Sequence, residues 1–246
     1  MRKTTKKHGP LVSSGRKQGT RDQIVKFLIV CEGKKTEPNY FKALIDECKS
    51  QNNGAKIDKQ RTIVSIVAKI GAGAVGTGNL VNKAKKLKDE YKRKQQIHFD
   101  RVWLVFDKDE FPDFNKAIAD AKKEGMNCAW SNQAFELWYV LHFQYLDTGV
   151  DRKQYIEMIE DKVRKASKSK TFKYKKNDEG FYQILQAHGE EEQAIKRARK
   201  LRENMGKKKN YAAHNPRTEV DLLVDELRHP EKALDKIEEA EKACEE

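Results

Sequence analysis

The 246-residue sequence is poor in the residues and runs that would announce a disulfide scaffold, a zinc ribbon or a membrane protein. Its four cysteines (Cys31, Cys48, Cys128 and Cys244) lie far apart and form no CxxC pair, which argues against both frameworks and suits a reducing compartment. The six histidines (His8, His98, His142, His188, His214 and His229) show no HxxxH-type spacing, so a histidine-built metal site has no basis. No apolar run approaches the roughly 18–20 residues of a membrane span. The N-terminus is basic but lacks the apolar stretch of a signal peptide. These absences predict a cytoplasmic protein with no membrane partner. A Walker A loop is also missing, because no Gly-Lys-Ser/Thr closes a glycine-rich run.

What the sequence has in excess is positive charge. Lys and Arg total 51 against 38 Asp and Glu, a net charge of +13. Such a balance points to a polyanionic partner, above all nucleic acid, RNA or DNA. Residues 1–21 contain seven Lys or Arg and no acid, and read as a mobile basic arm. Lys162–Lys176 holds eight basic residues without an acid, and Lys196–Lys209 eight more with Glu203 alone. From these stretches Lys168, Lys170, Lys173, Lys175, Lys176, Lys207, Lys208 and Lys209 are the candidate phosphate contacts. Phe172 and Tyr174 are interleaved with lysines, an arrangement suited to base stacking or to a solvated basic loop.

Apolar β-branched runs at Ile24–Cys31, Thr62–Val67, Arg101–Phe106 and Asn127–Ser131 predict four strands. Between them lie helical patterns: one after Thr36 and Pro38, a lysine-rich one from Asn79 to Lys94, one from Pro112, and one from Asn132 to about Phe143. Strand and helix therefore alternate, which predicts an α/β fold with a parallel sheet and helices on both faces. Beyond Asp147 the pattern is helical, at Tyr155–Val163, Glu179–Ala187, Glu192–Met205 and Pro216–Arg228. The expected division is an arm (1–21), an α/β catalytic domain (22–148) and a helical basic C-terminal appendage (149–246). Trp103, Trp130, Trp138 and the aromatics at 135–145 are spaced as core, and His142 falls on the same apolar helix.

In a parallel sheet ligands sit at the carboxyl ends of the strands. The strand Val102–Phe106 ends in Asp107-Lys108-Asp109, and the first strand ends in Glu32-Gly33. Carboxylates gathered at one sheet edge repel one another unless a cation neutralises them. Mg²⁺ takes oxygen ligands and keeps several waters, so one or two carboxylates are enough. The alternative is a pair of solvated acidic turns.

A Glu-Gly after one strand and an Asp-x-Asp after a later one resembles the Toprim domain. The longer strings are similar to the RloB family, known from restriction and abortive-infection loci: CEGKKTEPNYF at 31–41, VFDKDE at 105–110, SNQAFELWYVLHF at 131–143 and NPRTEV at 215–220. The resemblance spans residues 24–228. It implies a Toprim-like nuclease with one or two Mg²⁺ or Mn²⁺ ions, acting in anti-phage defence and possessing partner subunits. Glu32 would take the place of the Toprim glutamate, Asp107 and Asp109 those of the metal-binding pair. Ser131 and Glu136 match more loosely the residues that complete a second metal position, with a salt bridge to a lysine as the alternative for Glu136. Lys34 would neutralise phosphate charge in the transition state.

Two other readings compete. Gly71–Gly76 satisfies GxGxxG, but the position about 20 residues on falls in the lysine-rich helix and the strand-end acid, Asp107, comes too late for a dinucleotide site, which leaves a glycine-rich loop. Asp107-Lys108-Asp109 also resembles the Asp-x-Asp of haloacid-dehalogenase phosphatases, although Phe111 stands where Thr or Val is expected. A non-enzymatic nucleic-acid-binding defence subunit is the remaining alternative.

Overall fold

The computed structural model describes residues 23–54, 61–69, 78–108, 113–230, 232, 233 and 235. The basic arm, the Gly71–Gly76 run, Asp109 and most of the acidic C-terminal stretch lie outside the described residues. The elements in chain order are β1 (Gln23–Cys31), α1 (Thr36–Gly54), β2 (Arg61–Lys69), α2 (Gly78–Gln95), β3 (Arg101–Lys108), α3 (Phe114–Lys123), β4 (Asn127–Asn132) and α4 (Glu136–Phe143). Four helices follow: α5 (Arg152–Ser167), α6 (Phe181–His188), α7 (Glu191–Met205) and α8 (Val220–Arg228).

The strands form one sheet in the order β2-β1-β3-β4, and every pairing is parallel. Side chains of a strand alternate between faces, and here the alternation sorts the core into two layers. Phe27, Ile29, Cys31, Trp103 and Val105 pack with Tyr40, Phe41 and Leu44 of α1 and with α4. Leu28, Val30, Val102, Leu104 and Phe106 pack with Leu80, Val81 and Ala84 of α2 and with Phe114 and Ala121 of α3. Both faces are covered, which is why the strands read as continuous apolar runs.

The C-terminal helices expected from the sequence are present, and Tyr155, Ile159, Phe181, Leu185, Ala194, Leu201, Leu223 and Val224 share the layer that holds α1 and α4. The pattern at Pro216–Arg228 is helical only from Val220. The residues before it are extended: Asn132 N donates to Arg217 O at 2.8 Å and Glu219 N to Trp130 O at 2.8 Å, with a lone antiparallel bridge between Ser131 and Thr218. The outer edge of β4 supplies hydrogen bonds that a helical turn would have made internally, and that competition delays the helix.

Ion pairs join α8 to the rest. Glu226 accepts from Arg101 Nε at 3.1 Å, Arg101 Nη2 at 2.6 Å and Trp103 Nε1 at 3.0 Å. Arg228 reaches Glu47 of α1, Glu191 of α7 and Tyr182 of α6. Among the described residues Cys31, Cys48 and Cys128 are free thiols, and no described helix is long and apolar enough to cross a membrane.

His142 is in the core, as its apolar helix predicts, at 1% exposure. Its Nδ1 lies 2.9 Å from Trp138 O, so the neutral ring with Nδ1–H donates there. Burial depresses its pKa from 6.5 to about 4. The unfolded chain therefore takes up the proton first. Stability from this group is fully present above pH 6.5 and is lost as pH falls toward about 4. Denaturant titrations are expected to show that decline in the wild type and a shallower one in His142→Phe. Equal slopes would refute it.

Candidate active site

The chain leaves β1 for α1 on one face and leaves β3 for α3 on the other. The carboxyl ends of these adjacent strands therefore flank a topological switch point, where an open α/β sheet forms its ligand crevice. Glu32 and Asp107 stand there. The N–H of Glu32 donates to Val105 O at 2.9 Å, so the first residue past β1 is still held to β3. Asp107 is within β3, directly opposite Ser131 of β4. It follows Trp103 and Val105 at alternate positions, so it belongs to the face covered by α1 and α4. Ser131 is fully buried, and its Oγ lies 2.8 Å from Thr218 Oγ1. Glu32 and Asp107 are both partly exposed.

Gly33 packs closely against the end of the Glu37 side chain. A Cβ added there would lie 2.6 Å from Cδ of Glu37, a buried residue in the first turn of α1. Sequence reasoning missed Glu37. A glutamate in a helix's first turn reads as a dipole partner, and only the folded chain brings it against the Gly33 backbone.

Glu136 is 2% exposed at the start of α4. It accepts from Tyr174 Oη at 3.1 Å and pairs with Lys176 Nζ at 3.5 Å. The lysine partner considered from the sequence is thus present. Burial, then Glu136, then Glu37 push the Tyr174 phenol far above its ordinary range, so it remains a donor. Thr36 Oγ1 donates to Lys176 O at 2.9 Å, tying this basic stretch to the N-terminus of α1.

The candidate phosphate contacts are all exposed. Lys168 caps α5 in the left-handed region with φ 57°, and Lys170 and Lys175 follow in the loop. Lys173 pairs with Glu160 at 3.0 Å. Lys207, Lys208 and Lys209 lie in the loop after α7. Phe172 and Tyr174 are half-buried, and both rings pack on Phe181, with centroids at 6.4 and 4.9 Å. Burying two half-apolar rings beside Phe181 outweighs leaving them in water.

Lys34 is exposed two residues beyond Glu32. Asp109, the second acid of the motif, lies outside the described residues. Among the described residues no three His, Cys, Asp or Glu side chains gather closely enough to hold a metal ion. The donors present at the switch point, the Glu32 and Asp107 carboxylates with the Ser131 hydroxyl, are all hard oxygens. That donor set fits Mg²⁺ or Mn²⁺ in preference to a soft metal.

The fold and the strand-end acids define a doubly wound parallel α/β protein with Glu32 and Asp107 at its switch point. A family model described as RloB-like protein matches residues 27–227, and the chain belongs to that family. Comparison with curated proteins and with solved structures returns no match.

Proposed function

We propose that the chain is a nuclease that hydrolyses phosphodiester bonds of RNA or DNA with Mg²⁺ or Mn²⁺, in a bacterial anti-phage defence system. The observation that carries this reading is the placement of Glu32 and Asp107 at the carboxyl ends of adjacent parallel strands, on either side of the switch point. Glu32 and Asp107 would hold the ion, with Asp109 as the further carboxylate of the motif. A divalent cation there polarises the phosphoryl oxygens and activates water at neutral pH. Lys34 sets a positive charge beside the incoming phosphate. The exposed lysines at 168–176 and 207–209 hold the backbone electrostatically without reading sequence. Glu136 already has Tyr174 and Lys176, which favours a positioning role for it over direct ligation.

The test incubates the purified chain with Mg²⁺ or Mn²⁺ and a panel of DNA, total tRNA and ribosomal RNA. Cleavage of at least one substrate that a chelator stops is expected. Binding should weaken with salt by about 0.7–0.9 log units per neutralised phosphate for each log unit of salt. Salt-dependent binding with no turnover on any substrate would make the chain a non-enzymatic nucleic-acid-binding subunit instead. Binding that does not respond to salt would remove the polyanion partner.

A further inference from the structure

Two lysine-bearing segments far apart in the sequence meet at the start of α1. Lys34 and Lys35 are the exposed residues between Gly33 and Thr36. Thr36 Oγ1 donates to Lys176 O at 2.9 Å across 140 positions of sequence, which sets Lys175 and Lys176 beside them. Of these four lysines only Lys176 has an acid partner among the described residues, Glu136 at 3.5 Å. Like charges gathered in this way repel one another, and a bound polyanion relieves the repulsion.

The loop that carries Lys175 and Lys176 is held from beneath. Arg164 Nε donates to Phe172 O at 2.9 Å, and Tyr174 N donates to Glu160 at 3.1 Å. Tyr174 Oη donates to the buried Glu136 at 3.1 Å, and its ring packs on Phe181 and Tyr139, with centroids at 4.9 and 6.2 Å. Phe172 and Tyr174 are half-buried, whereas Lys173 and Lys175 are exposed. The backbone is thus ordered before any ligand arrives, which lowers the entropic cost of binding one. Thr36 lies four residues past Glu32, so their Cα atoms are no more than about 14 Å apart. That span is roughly four steps of a stacked nucleic-acid strand at 3.4 Å each.

We infer that Lys35, Lys175 and Lys176 form one subsite for the phosphates that flank the scissile bond of an RNA or DNA strand. Thr36 and Tyr174, the latter through Glu136, are the positioning residues that hold its two halves together. The buried Glu136 carboxylate thereby acquires a role: it is the post to which the loop is tied. Ammonium groups contact phosphate as point charges and do not read bases, so the subsite fixes where a strand lies and leaves its sequence free.

This subsite presupposes the nucleic-acid substrate proposed for the switch point, and binding measured without metal keeps the two apart. The probes are labelled single-stranded RNA and DNA oligonucleotides, titrated in chelator at several salt concentrations. Lys35→Ala and Lys175→Ala are each expected to weaken binding and to reduce the steepness of log affinity against log salt by about 1. Lys88→Ala, on the exposed side of α2, is expected to match wild type, and an equal loss there would reduce the subsite to general charge. Tyr174→Phe keeps the ring, Thr36→Val keeps the shape, and neither removes a charge. Each is expected to weaken binding about fivefold, the loss that one hydrogen bond amounts to. On any substrate that the wild type cleaves, both should raise KM by that factor and leave kcat unchanged. Lysine variants with wild-type affinity and steepness would overturn the subsite even if the wild type is a nuclease, as would a wild type that binds neither polymer. Anchor variants that bind as wild type while the lysine variants do not would overturn the positioning roles. Wild-type binding that shows these lysine effects, without cleavage of any substrate, would overturn the proposed nuclease and support the subsite.

Discussion

Asp107→Asn is expected to lower metal-dependent cleavage by about 10²–10³-fold, the loss that corresponds to several kcal/mol of transition-state stabilisation. The substitution keeps the shape of the side chain and removes its charge. Asp107 is the acid of β3 that faces the α1 and α4 layer, opposite Ser131, so no neighbouring strand supplies a substitute at that register. The fold should survive, since the apolar core beneath it is unchanged. Nucleic-acid binding should persist as well, because the exposed lysines at 168–176 and 207–209 act independently of the crevice. Glu32→Gln is expected to behave in the same way. A phosphatase of the haloacid-dehalogenase kind would lose activity at Asp107 and tolerate the change at Glu32. Cleavage assays and melting curves on both variants, with and without Mg²⁺, separate these cases. Full activity in Asp107→Asn would sink the metal-site reading.

The second large effect concerns stability. Arg217 is 6% exposed, and its charge is paired. Its guanidinium donates to Glu219 through Nε at 2.8 Å and also through Nη2. Nη1 meets His214 Nδ1 at 2.8 Å. The plane lies 5.3 Å from the Trp130 ring centroid and 5.5 Å from that of Tyr211. Glu219 in turn receives Arg202, which holds Asp221 as well. Removing Arg217 leaves the buried Glu219 with Arg202 alone, and breaking a buried pair costs about 3–5 kcal/mol. For a chain of this size each kcal/mol moves the melting point by roughly 2–4 °C. Arg217→Ala is therefore expected to lower it by about 6–20 °C. Because residues 217–219 close the edge of β4 beside Ser131, cleavage should fall with the fold. Arg217→Lys, which keeps the charge but not the planar fork, should recover only part of the loss. A melting point within 2 °C of wild type in the alanine variant, on the order of experimental scatter, would refute the structural role.

Much of this protein was legible one segment at a time. The four strands and the helices between them follow from apolar runs and caps. The parallel sheet follows from their alternation, because parallel strands need a helical crossover. The strand-end acids were visible for the same reason, since a polar residue ending an apolar run marks a sheet edge. His142 and the three tryptophans were legible as core from helical and strand periods alone, and all four are buried. Phe172 and Tyr174 could be read either way, because alternation with lysine looks the same whether a ring faces solvent or packs beneath a loop. Only the position of Phe181 decides between the two.

By itself, then, the sequence determined the element types, the parallel topology and the strand ends at which Glu32 and Asp107 appear. These are local matters: period, capping and the reach of a crossover connection act over tens of residues. The tertiary structure alone decided which distant groups meet. It set Glu37 against Gly33, Lys176 against Glu136 and residues 217–219 along β4. Such pairings join residues far apart along the chain, and they are selected by how two covered sheet faces and four C-terminal helices fill one volume. No pattern along the chain encodes that choice, because a buried hydroxyl and a buried methyl at one helical position give the same periodicity and differ only in what the opposite wall offers them.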